Sequence, residues 1–312
     1  MADKPRNFGA SVRDRLRNIA RKSGMDFQLL LTRYVLERLL YRLGASDYRD
    51  EFILKGAMLC AMWLDPFRNT RDLDLLARRE PDAARAVEVF QEICLTVVPN
   101  DGVVFDAENV KAVPIRDNGG IRITTVATLG GARVPVRVDI GFGDVVTPVS
   151  VDYPALLDLP HPRLMAYPRE TVVAEKFEAI VALGLTNSRM KDFHDVALLA
   201  NSFAFDGQLL TSAVAATFRR RGTSMPAEPP PALSDAFAKR PETVALWRAF
   251  VTREAIAEGY SDLEAIVQIL RSFLMAPAAA AADGQSFALH WAPRGPWDKN
   301  TLSTNRADEG SA

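Results

Sequence analysis

The chain is poor in the residues on which most thiol, imidazole and membrane chemistry rests. Only two of its 312 residues are cysteine, Cys60 and Cys94, and their spacing matches neither a disulfide framework nor a zinc knuckle. A reducing cytoplasm fits that pattern. The three histidines, His161, His194 and His290, have no Cys or second His at metal-ligand spacing, which argues against zinc chemistry and against a serine hydrolase. An excess of either charge is also missing, with 38 Lys plus Arg against 39 Asp plus Glu, so a globally basic nucleic-acid coat is not indicated. The N-terminus lacks the apolar core of a signal peptide, and no uncharged run approaches the roughly 20 residues needed to span a bilayer. The expectation is a cytoplasmic protein with no membrane partner.

What is present is a large apolar fraction, 48%, enough for one large domain or two modest ones. Residues 1–22 concentrate Lys4, Arg6, Arg13, Arg15, Arg17, Arg21 and Lys22 against Asp3 and Asp14. This is either a candidate RNA or partner surface or the solvated face of a helix. Helical spacing broken at Ser23-Gly24 predicts two helices within residues 1–49, the second strongly amphipathic. Residues 50–150 read as a mixed α+β unit. In it "EFILKGAMLCAMWLD" gives strand, glycine and helix, residues 71–77 a further strand, and "IRITTVATL", Gly130-Gly131 and "ARVPVRVDIGFGD" a β-hairpin. Helical patterns dominate 151–276, and 277–312 reads as a disordered tail apart from a small contact at Trp291 and Trp297.

"RDLDLL" carries the chemistry. On a strand Asp72 and Asp74 share one face while Leu73 and Leu75 take the other, with Cα atoms about 6.6 to 6.8 Å apart. Such a pair can converge on divalent cations, and carboxylate oxygen suits Mg²⁺ or Mn²⁺. Standing alone, D-x-D is more often the polar face of a half-buried strand. Asp139 adds a third carboxylate, because Val134, Val136, Val138 and Ile140 alternate with Arg137 and Asp139 along one strand. The same aspartate read alone could pair with Arg137 or Arg133. Gly56, at a strand-to-helix turn, allows close backbone approach, and the N–H groups of a helix start can receive phosphate.

Glycine turn, helix, D-x-D strand and a later third Asp form an arrangement that resembles the DNA polymerase β-like nucleotidyltransferases. "VLERLLYRLGAS", "FILKGAMLCAMW", "RDLDLL", "EKFEAIVALG", "RMKDFHDV" and "ATFRRRGTSMP", in that order, resemble the AbiEii/AbiGii toxin family within that superfamily. The resemblance implies an α+β nucleotidyltransferase core with a mixed sheet over 50–150, preceded by helices and followed by a helical domain over 151–276 that completes the active-site cleft. It implies Mg²⁺- or Mn²⁺-dependent transfer of NMP from an NTP to an RNA acceptor, the tRNA 3′ end, with a cognate antitoxin as partner. Transfer to a protein or small molecule, and a catalytically silent NTP-binding module, are the rival readings.

In this sequence the implied roles fall on Asp72, Asp74 and Asp139 as metal-binding and catalytic residues and on Lys176 as a catalytic, triphosphate-contacting lysine. Nucleotide contacts fall on Lys55, Gly56, Ala57, Lys176, Asp192 and Asp195. Arg68 and Arg71, on the approach to the D-x-D pair, are placed for the triphosphate or equally for an ion pair with Asp72 or Asp74. Arg219, Arg220 and Arg221 cannot all face one way on a helix, so some are solvated and at least one is a candidate contact to RNA backbone or nucleotide phosphate. The superfamily's usual glycine-serine pair is here Gly56-Ala57, which leaves phosphate contact to backbone amides and Lys55. Helical projection puts Lys176 at the edge of a buried stripe of Val173, Phe177, Ile180 and Gly184, with Glu175 and Glu178 pointing away. Snorkelling is the alternative for that lysine. On the next helix Met190, Phe193, Val196, Ala197 and Ala200 form the apolar side and Lys191 and His194 the opposite one. Arg189 and Asp192 stand at i, i+3 spacing, fit for a pair on the helix.

Overall fold

The structure, a computed structural model, describes residues 8–64, 70–80, 82–115 and 119–299. The chain divides into two units, 1–168 and 169–312.

The first unit opens with helices α1 (Phe8–Ser23) and α2 (Phe27–Ala45). The break falls at Gly24, φ +74°, and Asp26 caps α2 by accepting from the Leu29 N–H at 2.9 Å, as a short acidic side chain does at an N-cap. After α2 come β1 (Phe52–Lys55), α3 (Gly56–Trp63), β2 (Leu73–Ala77), α4 (Ala83–Leu95), β3 (Val103–Phe105), β4 (Lys111–Pro114), β5 (Ile121–Leu129), β6 (Ala132–Phe142), β7 (Val149–Asp152) and β8 (Arg163–Ala166). One mixed sheet runs in the order β3-β5-β6-β2-β1-β8-β7, with β4 also on β5. The β2–β6 and β1–β8 pairs are parallel and the rest antiparallel.

The expected hairpin is β5–β6. Its two-residue turn is Gly130-Gly131, at φ +53° and +81°, the sign that a tight hairpin turn demands. Val134, Val136, Val138 and Ile140 are buried, while Arg137 faces out. The tip of the hairpin meets α1 backbone to backbone: a Cβ on Gly130 would lie 2.6 Å from the Gly9 oxygen, and one on Gly102 would lie 2.9 Å from the Gly9 Cα. Arg13 then donates to the Gly130 carbonyl at 2.7 Å, so one of the N-terminal basic residues is structural. Arg17 pairs with Asp14, and Lys4 and Arg6 lie outside the described residues.

The second helix is not amphipathic as expected. Arg33, Glu37, Arg38 and Arg42 are as buried as its leucines. Apart from the Glu37–Arg38 pair within the helix, the partners of Glu37 and Arg42 come from distant segments. Glu37 accepts from Arg38 at 2.6 Å and from the Leu156 N–H at 2.7 Å, and its carboxyl pKa is raised by burial. Arg42 grips Asp101 at 2.6 and 3.2 Å and donates to the Val103 carbonyl at 3.1 Å. Cys60 and Cys94 are free and buried, and burial pushes the Cys94 thiol up to about 12, far from a reactive thiolate.

The second unit is helical: α5 (Arg169–Leu183), α6 (Met190–Ser202), α7 (Gly207–Arg221), α8 (Asp235–Lys239), α9 (Pro241–Glu254) and α10 (Leu263–Ala282). A small sheet joins β9 (Phe205–Asp206), β10 (His290–Trp291) and β11 (Trp297–Asp298). The expectation of disorder from residue 277 fails here. The last helix continues through Pro277 to Ala282, and Trp291 and Trp297 close on Phe273, with ring centroids 4.9 and 5.8 Å away. Their indole N–H groups donate to the carbonyls of Ala200 and Phe273 at 2.7 and 2.9 Å, so two bulky rings add to the burial of Ala278 and Ala280 on α10. Residues 300–312 lie outside the described residues. Among the described helices α10 alone has the length and hydropathy to cross a bilayer, yet Ile266, Val267, Leu270, Phe273 and Leu274 are buried within the helical unit, as in a core helix.

Replacing Asp101 with Ala strands the buried Arg42 guanidinium. It is expected to cost about 3 to 5 kcal/mol of stability, measured by urea denaturation followed by far-UV circular dichroism. A loss below about 1 kcal/mol, the scale of an exposed pair, would show that this contact does not hold α2 in place.

Candidate active site

The register of the sheet brings charge into a row. Lys55 on β1 stands opposite Asp74 on β2, Asp74 opposite Asp139 on β6, and Asp139 opposite Arg122 on β5. Residues directly opposite share a face, so four strands present cation, carboxylate, carboxylate, cation side by side. Asp72 sits on the bend just before β2 and is half-buried, like Asp74. Thr70 anchors that bend, its hydroxyl donating to the Asp72 carbonyl at 3.1 Å.

Gly56 sets the closest approach. Its φ is +71°, and a Cβ there would fall on the Asp74 carboxylate. Only glycine meets both conditions at this turn. The turn brings the Ala57 N–H, at the start of α3, into a hydrogen bond with the Asp74 carboxylate. Even so, the Asp74 pKa is pushed up to about 6, first by burial and then by the Asp72 charge, with Lys55 and the Ala57 amide pulling the other way and Asp139 adding to the rise. Unrelieved negative charge gathers on β2, and hard oxygen donors in that state suit a divalent cation.

Asp139 is differently placed. Arg122 donates to both its oxygens, from Nε and from Nη2, each at 2.7 Å, the bidentate fork that guanidinium geometry favours. Sequence reading had offered Arg137 or Arg133 as partners; the register selects Arg122. Among the described residues no group of three or more His, Cys, Asp or Glu side chains is drawn together as a metal site. Lys55 donates to Asp144 at 3.1 Å, and the Tyr167 hydroxyl donates to the same oxygen at 3.1 Å. Arg122, Asp144 and Tyr167 went unnoticed in the sequence. Alternation along "IRITTV" put Arg122 on the polar face, but only cross-strand register names its partner. Arg71 precedes β2 and is exposed; Arg68 lies outside the described residues.

The helical unit holds a second cluster. The Lys176 ammonium lies 2.7 Å from Asp192 and 2.8 Å from Asp195, which rules out snorkelling into water. Arg189 reaches Asp192 at 2.8 Å, the i, i+3 pair allowed by the sequence. Both aspartates are buried. Two projections need correction. Glu178 is buried rather than turned away, because Arg221 at 2.6 Å and the Thr223 hydroxyl bind it. His194 is nearly covered, its ring edge-on to Phe250 and Tyr260 at 5.6 and 5.7 Å, because neighbours enclose α6 on both sides. Of the three arginines ending α7, Arg221 is engaged by Glu178 and Glu175, while all three retain exposure.

The family described as "Nucleotidyl transferase AbiEii toxin, Type IV TA system" matches residues 38–269. None of the curated proteins matches. Similar solved structures include JHP933 from Helicobacter pylori, at 14% identity and TM-score 0.48, covering 82% of this chain and 93% of that one. Another is an H. pylori protein described as a candidate nucleotidyltransferase, at 14% identity and TM-score 0.49, covering 83% and 97%.

Two outcomes follow from the charges. Asp74 binds its proton more tightly folded than unfolded, so the stability it contributes is complete below pH 3.8 and is lost as pH rises through about 6. Asp74→Asn is therefore expected to match wild type near pH 4 and to exceed it by up to about 3 kcal/mol near pH 7.5. Urea melts across that range test it, and a pH-independent difference would refute the raised pKa. Lys176→Met takes the ammonium from two buried carboxylates and is expected to cost roughly 3 to 5 kcal/mol. Adding Asp195→Asn should recover part of that loss in a double-mutant cycle, and strict additivity would deny the contact.

Proposed function

This chain belongs to the AbiEii nucleotidyl transferase toxin family of type IV toxin–antitoxin systems, and from that premise we propose the reaction it performs: transfer of a nucleoside monophosphate from an NTP to an RNA hydroxyl, with pyrophosphate released. The acceptor is the 3′ end of tRNA, and the block on aminoacylation arrests translation and growth. A cognate antitoxin is the protein partner. The observation that carries the reading is the Asp72–Asp74 pair set against the Gly56 turn, with Asp74 lifted by charge that a cation would offset.

Asp72 and Asp74 would hold Mg²⁺ or Mn²⁺, which when bound neutralises phosphate charge and steadies the reacting oxygens. The chain's own groups do the rest. The Ala57 amide, once exchanged from Asp74, and the Lys55 ammonium, once exchanged from Asp144, orient phosphate oxygens, in place of the serine hydroxyl that Ala57 lacks. Asp139, once exchanged from Arg122, serves the acceptor hydroxyl or a second cation. In the helical unit we assign Lys176 to the triphosphate and Asp192 and Asp195 to its positioning. Arg219 and Arg220 are assigned to RNA backbone, whereas Arg221 already braces α7 against Glu178.

The test is incubation of the pure chain with Mg²⁺, each labelled NTP in turn, and total cellular RNA or protein. Label is expected in RNA of tRNA size and should fall by at least roughly 10²-fold with Asp72→Asn or Asp74→Asn. A second readout is thermal: Mg²⁺ should raise the melting temperature of wild type at pH 7.5 and of neither variant. Label in protein, or no label at all, would overturn the proposed acceptor.

A further inference from the structure

Beside the carboxylate row, in the first unit, lies a cleft of about 620 Å³ whose lining includes one residue, Arg71, with a nucleotide role implied by the sequence and otherwise residues given no role. It opens where β2 begins at Leu73 while β6 runs on toward the hairpin tip, so β6 lacks the β2 neighbour along residues 132–137. Arg71, Thr124 and Arg137 line it from the sheet side, and Gln28, Thr32 and the cap residue Asp26 from the start of α2. Arg71 and Arg137 are both exposed, and among the described residues neither guanidinium makes an ion pair or hydrogen bond. The one acid in the lining, Asp26, is turned to the Leu29 amide. The cleft is thus a groove of mixed character, in which two arginines, three threonine hydroxyls and the Gln28 amide are set among Leu29, Pro135 and Val136.

Its position matters as much as its charge. Arg71 is the residue before Asp72, and Arg137 shares the strand face of Asp139, about 6.6 Å away along β6. Gly56 and α3 flank the β2 carboxylates from the β1 side, whereas Thr124 and Arg137 flank them from the side of β5 and β6. In-line transfer needs the attacking hydroxyl and the leaving pyrophosphate on opposite sides of the transferred phosphorus. With the triphosphate at the Gly56 turn, the groove is where the acceptor enters.

We propose that this groove is the acceptor subsite and takes the phosphodiester backbone of a single-stranded RNA end. Arg71 and Arg137 clamp consecutive phosphates, and Thr124 and Gln28 reach sugar hydroxyls. Guanidinium forks match phosphate oxygens, and contacts of this kind position a strand without reading its sequence. The inference rests on the nucleotidyl-transfer reading, so binding is measured without NTP to keep the two separable.

The experiment is fluorescence anisotropy of the full chain with a labelled single-stranded RNA oligonucleotide, over a range of salt. Arg71→Gln with Arg137→Gln is expected to weaken binding roughly tenfold, and to flatten the plot of log affinity against log salt by about 0.7 per arginine removed. Arg137→Lys, which keeps the charge, should restore part of the loss. Affinity for Mg²⁺-NTP, titrated separately, should stay at the wild-type value in Arg137→Gln, and melting temperatures should not move because both side chains are exposed. Unchanged RNA affinity in the double variant overturns the proposal. So does a joint loss of RNA and NTP affinity in Arg137→Gln, or equal displacement of the RNA by polyglutamate. If the wild type binds RNA through these arginines yet transfers no nucleotide to it, the groove stands and the proposed reaction falls.

Discussion

The contact between the Gly56 turn and Asp74 is the constraint around which the first unit is arranged. A carboxylate can lie against the start of a helix only if the residue there has no Cβ and can take positive φ, and Gly56 meets both conditions. The turn fixes where α3 leaves β1, and the pairing of β1 with β2 fixes where Asp74 meets it. Parallel pairing of β2 with β6 then brings Asp139 level, and the hairpin brings Arg122 level with Asp139. Because side chains alternate along a strand, a shift of register by one residue would turn every member of this row into the core. The valines and isoleucine on the buried side of β6 oppose such a slip.

Charge inside the first unit is divided between two regimes. Around α2 most of the buried ions are matched, Arg42 with Asp101 and Glu37 with Arg38 and the Leu156 amide, while Arg33 keeps two buried nitrogens without an acceptor. In the row at β2 they are not, and Asp74 shows it in a pKa of about 6. Both clusters set aspartate against arginine. The difference is one of neighbours, since Asp101 and Glu37 are gripped by guanidinium groups, whereas Asp74 has the Ala57 amide and the Lys55 charge set against the carboxylates of Asp72 and Asp139.

Local signals in the sequence were enough for the helix break at Ser23-Gly24, the β5–β6 hairpin with its inward valines, and the alternation that sets Asp74 and Asp139 on a polar face. Each rests on neighbours within a few residues. What escaped depends on contacts far along the chain. Arg38 and Arg42 on α2 resemble solvated charges until Pro160 and Asp101 arrive to receive them. Glu178 looks exposed by helical projection until Arg221 and Thr223 fold back over it. Arg122 is an ordinary strand arginine until register sets it opposite Asp139. The tail is alanine-rich and reads as disordered, because the two tryptophans that tether it act through carbonyls about 91 and 24 positions away.

The glycine contact between α1 and the hairpin tip also carries a clock. A helix whose residue 9 must touch the backbone at 102 and 130 cannot dock while those residues are still inside the ribosome. Between Arg13 and its carbonyl acceptor lie 117 positions, and at roughly 5 to 20 residues per second that is a wait of roughly 6 to 23 s. Through that interval α1 has α2 to pack on but not β5. The strand that brings Asp139 into the row is made in the same seconds, so α1 closes and the third carboxylate arrives at one stage of synthesis. A nascent chain cut short before the hairpin has neither.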